Sequence, residues 1–190
     1  MLRSWLRAIG SPSPEQRLGD GIAAYQRGDD ATALRILRPL AEAGEPEAQY
    51  LVGRLYQQGR GVAQDEAEAI RWYRKAAERE HPGAQFELGR AYDEGVIVPQ
   101  DDAEAARWYE QAARRGHSEA QCRLGTMYMT GRGVAADPIE AYAWLTIAQN
   151  EASDSGRQAS ARRSELVRTM TPAQTEAAER RRAEITAGIR

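Results

Sequence analysis

A spacing of 36 residues recurs through the middle of this chain, and it constrains the fold more than any other feature. Ala48, Ala84 and Ala120 stand 36 apart, as do Gly53, Gly89 and Gly125, and Tyr56, Tyr92 and Tyr128. The same register carries Gly59, Gly95 and Gly131, then Val62, Val98 and Val134, then Asp65, Asp101 and Asp137. Ala69, Ala105 and Ala141, then Trp72, Trp108 and Trp144, then Ala76, Ala112 and Ala148, close the unit. So many columns in one register mark a stacked-repeat architecture, in which each unit buries its apolar face against its neighbours.

Each unit reads as two helices joined by a loop. In the first helix Ala48, Val52, Leu55 and Tyr56 share one stripe at helical spacing, with Leu51 at its edge. Gly53 lies just off that stripe, where the missing side chain is expected to let a neighbouring backbone approach. Gly59 is placed to end the helix in the left-handed conformation, and Gly61 supplies a second permissive position before the apolar Val62. Asp65 is the expected N-cap of the second helix, with Glu68 three residues on completing a capping box. Asp101 with Glu104 and Asp137 with Glu140 repeat the device. The second helix buries Ala69, Trp72, Tyr73 and Ala76 and turns Arg71, Arg74, Lys75 and Glu78 to solvent. Burying each tryptophan is worth roughly 2–3 kcal/mol. Two departures stand out: Ile97 replaces the second loop glycine, which predicts a loop of different shape, and Leu145 replaces the second aromatic of the third unit.

The stretch "AQYLVGRLYQQGRGVAQDEAEAIRWYRKAAEREHPGAQ" and its two successors resemble the Sel-one-like repeat (SLR), the longer-looped relative of the tetratricopeptide repeat. Upstream, "AAYQRGDDATALRILRPLAEAGEPEAQ" fits a degenerate first unit: Ala33, Leu34, Leu37 and Ala41 precede Ala69, Ile70, Tyr73 and Ala77 by 36. Gly28 runs directly into Asp29, a loop read as five residues short. The resemblance implies an all-α fold, a right-handed α-solenoid of helix–turn–helix repeats. The organisation expected is an amphipathic arm over 1–12, a degenerate repeat over 13–47, three SLR units over 48–150 (48–83, 84–119 and 120–150), and two cap helices over 151–190.

The ends carry their own signals. Ser13-Pro14-Glu15-Gln16 has capping-box form, and Thr171 with Pro172 and Gln174 opens a last helix. Leu2, Trp5, Leu6 and Ile9 fall on one stripe, a membrane- or partner-binding arm or a short helix folded onto the first unit; two arginines make a weak membrane anchor.

Chemistry is sparse. A net charge of -2 provides no field for nucleic acid or stable membrane anchoring. Residues 1–14 carry +2, 15–150 carry -6 and 151–190 carry +2, and Lys75 is the one lysine beside 25 arginines. Cys122 is the single cysteine, so no intrachain disulfide forms, and no zinc spacing is present. His81 and His117 keep the 36-residue register, which reads as a turn or N-cap position rather than a general base. "GRGV" lacks the lysine of a phosphate-binding loop. Arg180, Arg181 and Arg182 are read as sitting near a helix C-terminus, where cations are favoured. No catalytic, cofactor-binding or metal-binding residues are assigned, and the chain is expected to be cytoplasmic, non-enzymatic and monomeric.

Columns that differ between units are free to carry function. Tyr50, Arg54 and Gln57 lie opposite the buried stripe, and their counterparts are Phe86, Arg90 and Asp93, then Cys122, Thr126 and Met129. In tetratricopeptide-like arrays this side lines the concave surface. The resemblance therefore implies a groove for a protein partner, with Tyr50 and Phe86 as aromatic anchors or as packing between first helices. Aromatics and arginines dominate binding hot spots. The expected function is a protein–protein interaction scaffold; an immunity or regulatory subunit, or a peptidoglycan-related hydrolase, are the rivals.

Overall fold

Asp29, Asp65, Asp101 and Asp137 each accept a hydrogen bond from a backbone N–H in the turn that follows, and there the second helix of each hairpin begins. The structure, a computed structural model, describes residues 12–149 and 153–189. The arm stripe of Leu2, Trp5, Leu6 and Ile9 lies outside the described residues. Among the described residues there are ten α-helices and no strand. They are α1 (Pro14–Gln26), α2 (Asp30–Glu42), α3 (Pro46–Gln58), α4 (Glu66–Glu78), α5 (Pro82–Glu94), α6 (Asp102–Arg114), α7 (Ser118–Thr130), α8 (Pro138–Ala148), α9 (Asp154–Val167) and α10 (Pro172–Gly188).

The chain divides into two compact units, 1–79 and 80–190. In the first, described from residue 12, α1–α4 bury Ala24, Leu37, Ala48, Val52, Leu55 and Trp72 in one cluster. In the second, α5–α8 bury Phe86, Tyr109, Leu124, Met127 and Trp144. A further cluster there joins Cys122, Tyr142 and Leu145 to Ala159, Leu166 and Ala178 of α9 and α10. The last two helices thus close the apolar end of the repeats.

The caps depart from the expected boxes. Ser13 with Gln16 and Thr171 with Gln174 form reciprocal capping boxes. At the three repeat aspartates only the carboxylate half forms, because the backbone N–H of Asp65, Asp101 and Asp137 already donates to the carbonyl of Tyr56, Tyr92 and Tyr128 at 3.0 Å. The freed acids bind arginines instead: Glu68 with Arg71 at 2.9 Å, Glu104 with Arg107 at 2.7 Å, and Glu140 with Arg181 of α10 at 2.6 Å. His81 and His117 are N-caps, their Nδ1 atoms accepting from Ala84 and Ala120 at 3.1 and 3.3 Å.

Other expectations are refined or corrected. A Cβ on Gly53 would meet the Ala69 carbonyl oxygen at 3.3 Å, the backbone approach expected, and the ring of Tyr73 closer still at 2.7 Å. Gly89 stands in the same relation to Tyr109. The interhelical segment of the degenerate repeat spans 27–29 against 59–65 in the next, the short loop expected. Ile97 has φ 66°, matching Gly61 at 70° and Gly133 at 71°, so the second loop keeps the backbone turn of its neighbours despite the β-branched side chain. Trp72 and Trp144 are buried, whereas Trp108 is half-buried. Arg180–Arg182 lie within α10 rather than at its end and pair with Glu176, Glu140 and Glu179.

One framework column has a role that its register alone does not disclose. Gln49, Gln85 and Gln121 are buried. The amide of Gln49 donates to the Ala41 carbonyl at 3.0 Å, and that of Gln121 to Ala113 at 3.1 Å. Each reaches a carbonyl in the last turn of the preceding second helix, where intrahelical partners run out.

Candidate partner-binding surface

The outward positions of the first helices are engaged differently in the two units. On α3, the Tyr50 ring tilts against Tyr73 with centroids 5.8 Å apart, and the Arg54 guanidinium lies 6.0 Å from the Tyr50 centroid. Gln57 accepts from the Tyr73 hydroxyl at 2.9 Å. All three side chains keep some exposure. In the second unit Phe86 is buried, stacked on His117 at 4.5 Å and tilted on Tyr109 at 5.7 Å. Arg90 is held by Glu87 at 2.7 Å and Glu94 at 3.0 Å. Cys122 is buried, which pushes its thiol pKa up. Met129 packs against the apolar cluster that Leu145 shares with Ala159, Leu166 and Ala178 of α9 and α10.

Asp93 and Thr126 are brought together on a recess of about 500 Å³. Its other lining residues are Arg123, Met127, Thr130, Gly131, Arg132 and Arg162. The Asp93 side chain is 5% exposed. Its Oδ2 accepts from the Tyr109 hydroxyl at 3.1 Å and from Arg123 at 3.5 Å, and its Oδ1 accepts from Arg132. Burial and the adjacent Asp93 carboxylate together push the Tyr109 phenol pKa far up, so it stays a donor. Arg162 donates to the Thr126 hydroxyl at 2.8 Å and lies 3.5 Å from the Cys122 sulfur.

Reading the sequence missed these three arginines. Arg132 had a signal, because it repeats Arg60 at twice the period. Arg60 reaches the Asp30 carboxylate at 2.6 Å, and Arg132 lies 3.6 Å from Asp102, the same column two repeats on. Arg162 comes from α9, outside the repeat register, and had none. Among the described residues, no group of three or more His, Cys, Asp or Glu side chains could hold a metal ion. No described helix is long and apolar enough to cross a membrane.

Helical hairpins in one register, with a buried glutamine joining neighbouring hairpins within each unit, define a helical-repeat protein of the α-solenoid class. The Sel1 repeat family model matches residues 46–81, 82–117 and 118–148, and the chain belongs to that family. Two bacterial crystal structures are similar to it. A Sel1 repeat protein from Oxalobacter formigenes has 38% identity and a TM-score of 0.70, over 76% of this chain and 43% of that one. The second is c5321, a protective antigen present in uropathogenic Escherichia coli strains that displays an SLR fold. It has 27% identity and a TM-score of 0.61, over 93% of this chain and 46% of that one. This chain therefore spans less than half the length of either. No curated protein matches it.

Proposed function

We propose that this protein is a non-enzymatic interaction scaffold that holds a segment of a protein partner on the outward faces of its first helices. In the first unit that surface is Tyr50, Arg54 and Gln57. In the second it is built on α5 and α7 from Arg90, Asp93, Thr126 and Met129, with Phe86 and Cys122 as buried support. The observation that carries the reading is a division of labour between columns. The recurring alanines and the glutamine of each repeat are buried, with Trp72, Trp144, Tyr73 and Tyr109. Of the residues that differ between repeats, Asp93 and Thr126 border the arginine-lined recess, and Tyr50 and Arg54 form a partly exposed pair. Arginine, tyrosine and a partly apolar floor are the materials of binding hot spots.

Affinity capture followed by mass spectrometry tests this. Wild type is compared with an Arg54→Ala, Arg90→Ala, Arg162→Glu variant of unchanged helicity. A protein held by wild type and lost from the variant is expected. An empty capture from wild type, or the same proteins from both, overturns the proposal.

A further inference from the structure

Three guanidinium groups face the recess of the second unit, and one carboxylate, Asp93, stands among them. Asp93 is shared: Arg132 takes one oxygen, while Arg123 and Tyr109 divide the other. Among the described residues, the partners of Arg162 are neutral: the Thr126 hydroxyl and the Cys122 sulfur. Acids at the rim are spread thin, with Asp102 3.6 Å from Arg132 and Glu119 3.9 Å from Arg123. A guanidinium carries five N–H donors in a planar fork, so the contacts made here leave donors over. Arg123 and Arg132 are 42% and 47% exposed, which keeps those donors within reach of a ligand. The floor is different in kind: Met127 is buried, and Thr126 and Thr130 add hydroxyls beside their methyls.

We infer that this recess takes a carboxylate of an acidic segment of the protein partner, a deepening that rests on the scaffold reading above. The carboxylate sits between Arg162 and Arg123, where a fork of donors matches its two oxygens. The Asp93–Tyr109 pair holds Arg123 and Arg132 in place beneath it. The aliphatic part of the same side chain lies over Met127. Arg162, set in place by Thr126 beside the Asp93-held Arg123, is ordered before the ligand arrives, which is what preorganisation for an anion requires.

The test uses the full chain and three probes: a fluorescein-labelled peptide rich in Asp and Glu, its Asn and Gln counterpart, and inorganic phosphate. Binding is read by anisotropy and located by amide shifts in ¹H–¹⁵N spectra. The acidic peptide is expected to bind, with shifts centred on Thr126, Thr130 and Gly131. Arg162→Glu and, as a milder second variant, Arg123→Gln are expected to weaken it about tenfold. Arg180→Gln, whose arginine is exposed on α10 and paired with Glu176, leaves it unchanged. Equal binding of the uncharged peptide, shifts centred elsewhere, or full affinity in folded Arg162→Glu and Arg123→Gln overturns the inference. Phosphate producing the same shifts at equal concentration also overturns it, in favour of a small-anion site. A partner captured equally by wild type and by Arg162→Glu alone, with no acidic-peptide binding, removes the recess and leaves the scaffold reading standing.

Discussion

The Tyr109 hydroxyl donates to the Asp93 carboxylate at 3.1 Å, and the same two positions one repeat earlier hold Tyr73 and Gln57 at 2.9 Å. One repeat later they hold Leu145 and Met129, which share an apolar cluster. The pair therefore changes together: donor with acceptor twice, apolar with apolar once. Asp93→Met should destabilise the protein by about 2–3 kcal/mol, because it strands the buried Tyr109 hydroxyl. Adding Tyr109→Leu should recover part of that loss, giving a coupling of about 1–2 kcal/mol in a double-mutant cycle by urea denaturation. Strictly additive losses would show that the two positions are independent.

Gly89 and Gly19 respond oppositely to the same substitution. A Cβ on Gly89 would lie 2.5 Å from the buried Tyr109 ring, so Gly89→Ala should cost about 2–3 kcal/mol by overpacking. Gly19, in α1, has nothing within 4 Å of such a Cβ, and Gly19→Ala should stabilise by about 0.5–1 kcal/mol through helix propensity. Urea midpoints of the two variants measure both signs.

Ile97 sits at φ 66° with 55% of its surface exposed. The left-handed region costs an L-residue about 1–2 kcal/mol, and little burial offsets it. Ile97→Gly gives back part of the gain through the greater freedom of its unfolded chain. A net stabilisation of about 0.5–1 kcal/mol is expected by thermal or urea unfolding. A destabilised variant would mean that the side chain is held by contacts beyond the loop.

The Tyr142 hydroxyl donates to Glu179 at 2.6 Å and Arg182 adds a second hydrogen bond at 2.7 Å, which together hold the Glu179 carboxyl below its usual pKa. A carboxyl depressed on folding stabilises above its unfolded pKa, and that contribution fades as pH falls through the folded value. Wild type should thus exceed Glu179→Gln in stability near pH 7 and converge with it in acid. Glu179 is 43% exposed, so the gap is below about 1 kcal/mol. Parallel urea titrations from neutral to acid pH read it.

Legibility in the sequence followed the range of the interactions. The hairpins, their aspartate and histidine caps and their glycine stops depend on neighbours within a turn, and residue type at fixed spacing states them. The capping boxes at Asp65, Asp101 and Asp137 were half legible, because the competing Tyr56, Tyr92 and Tyr128 carbonyls come from the other helix of the hairpin. The buried glutamines show their period in the sequence, but not the bonds that Gln49 and Gln121 make to the preceding hairpin. Least legible was the recess: Arg123, Arg132 and Arg162 meet their partners Asp93 and Thr126 across 30, 39 and 36 residues. Only the stacking of α5, α7 and α9 brings them together.

Hydrogen–deuterium exchange is compared between the free protein and its complex with the captured partner. Slowed exchange is expected in the exposed segment that follows α7, around Gly131 and Arg132, with α4 and α6 unchanged. Protection confined to those second helices, with the segment after α7 exchanging as in the free protein, would contradict the proposed binding surface.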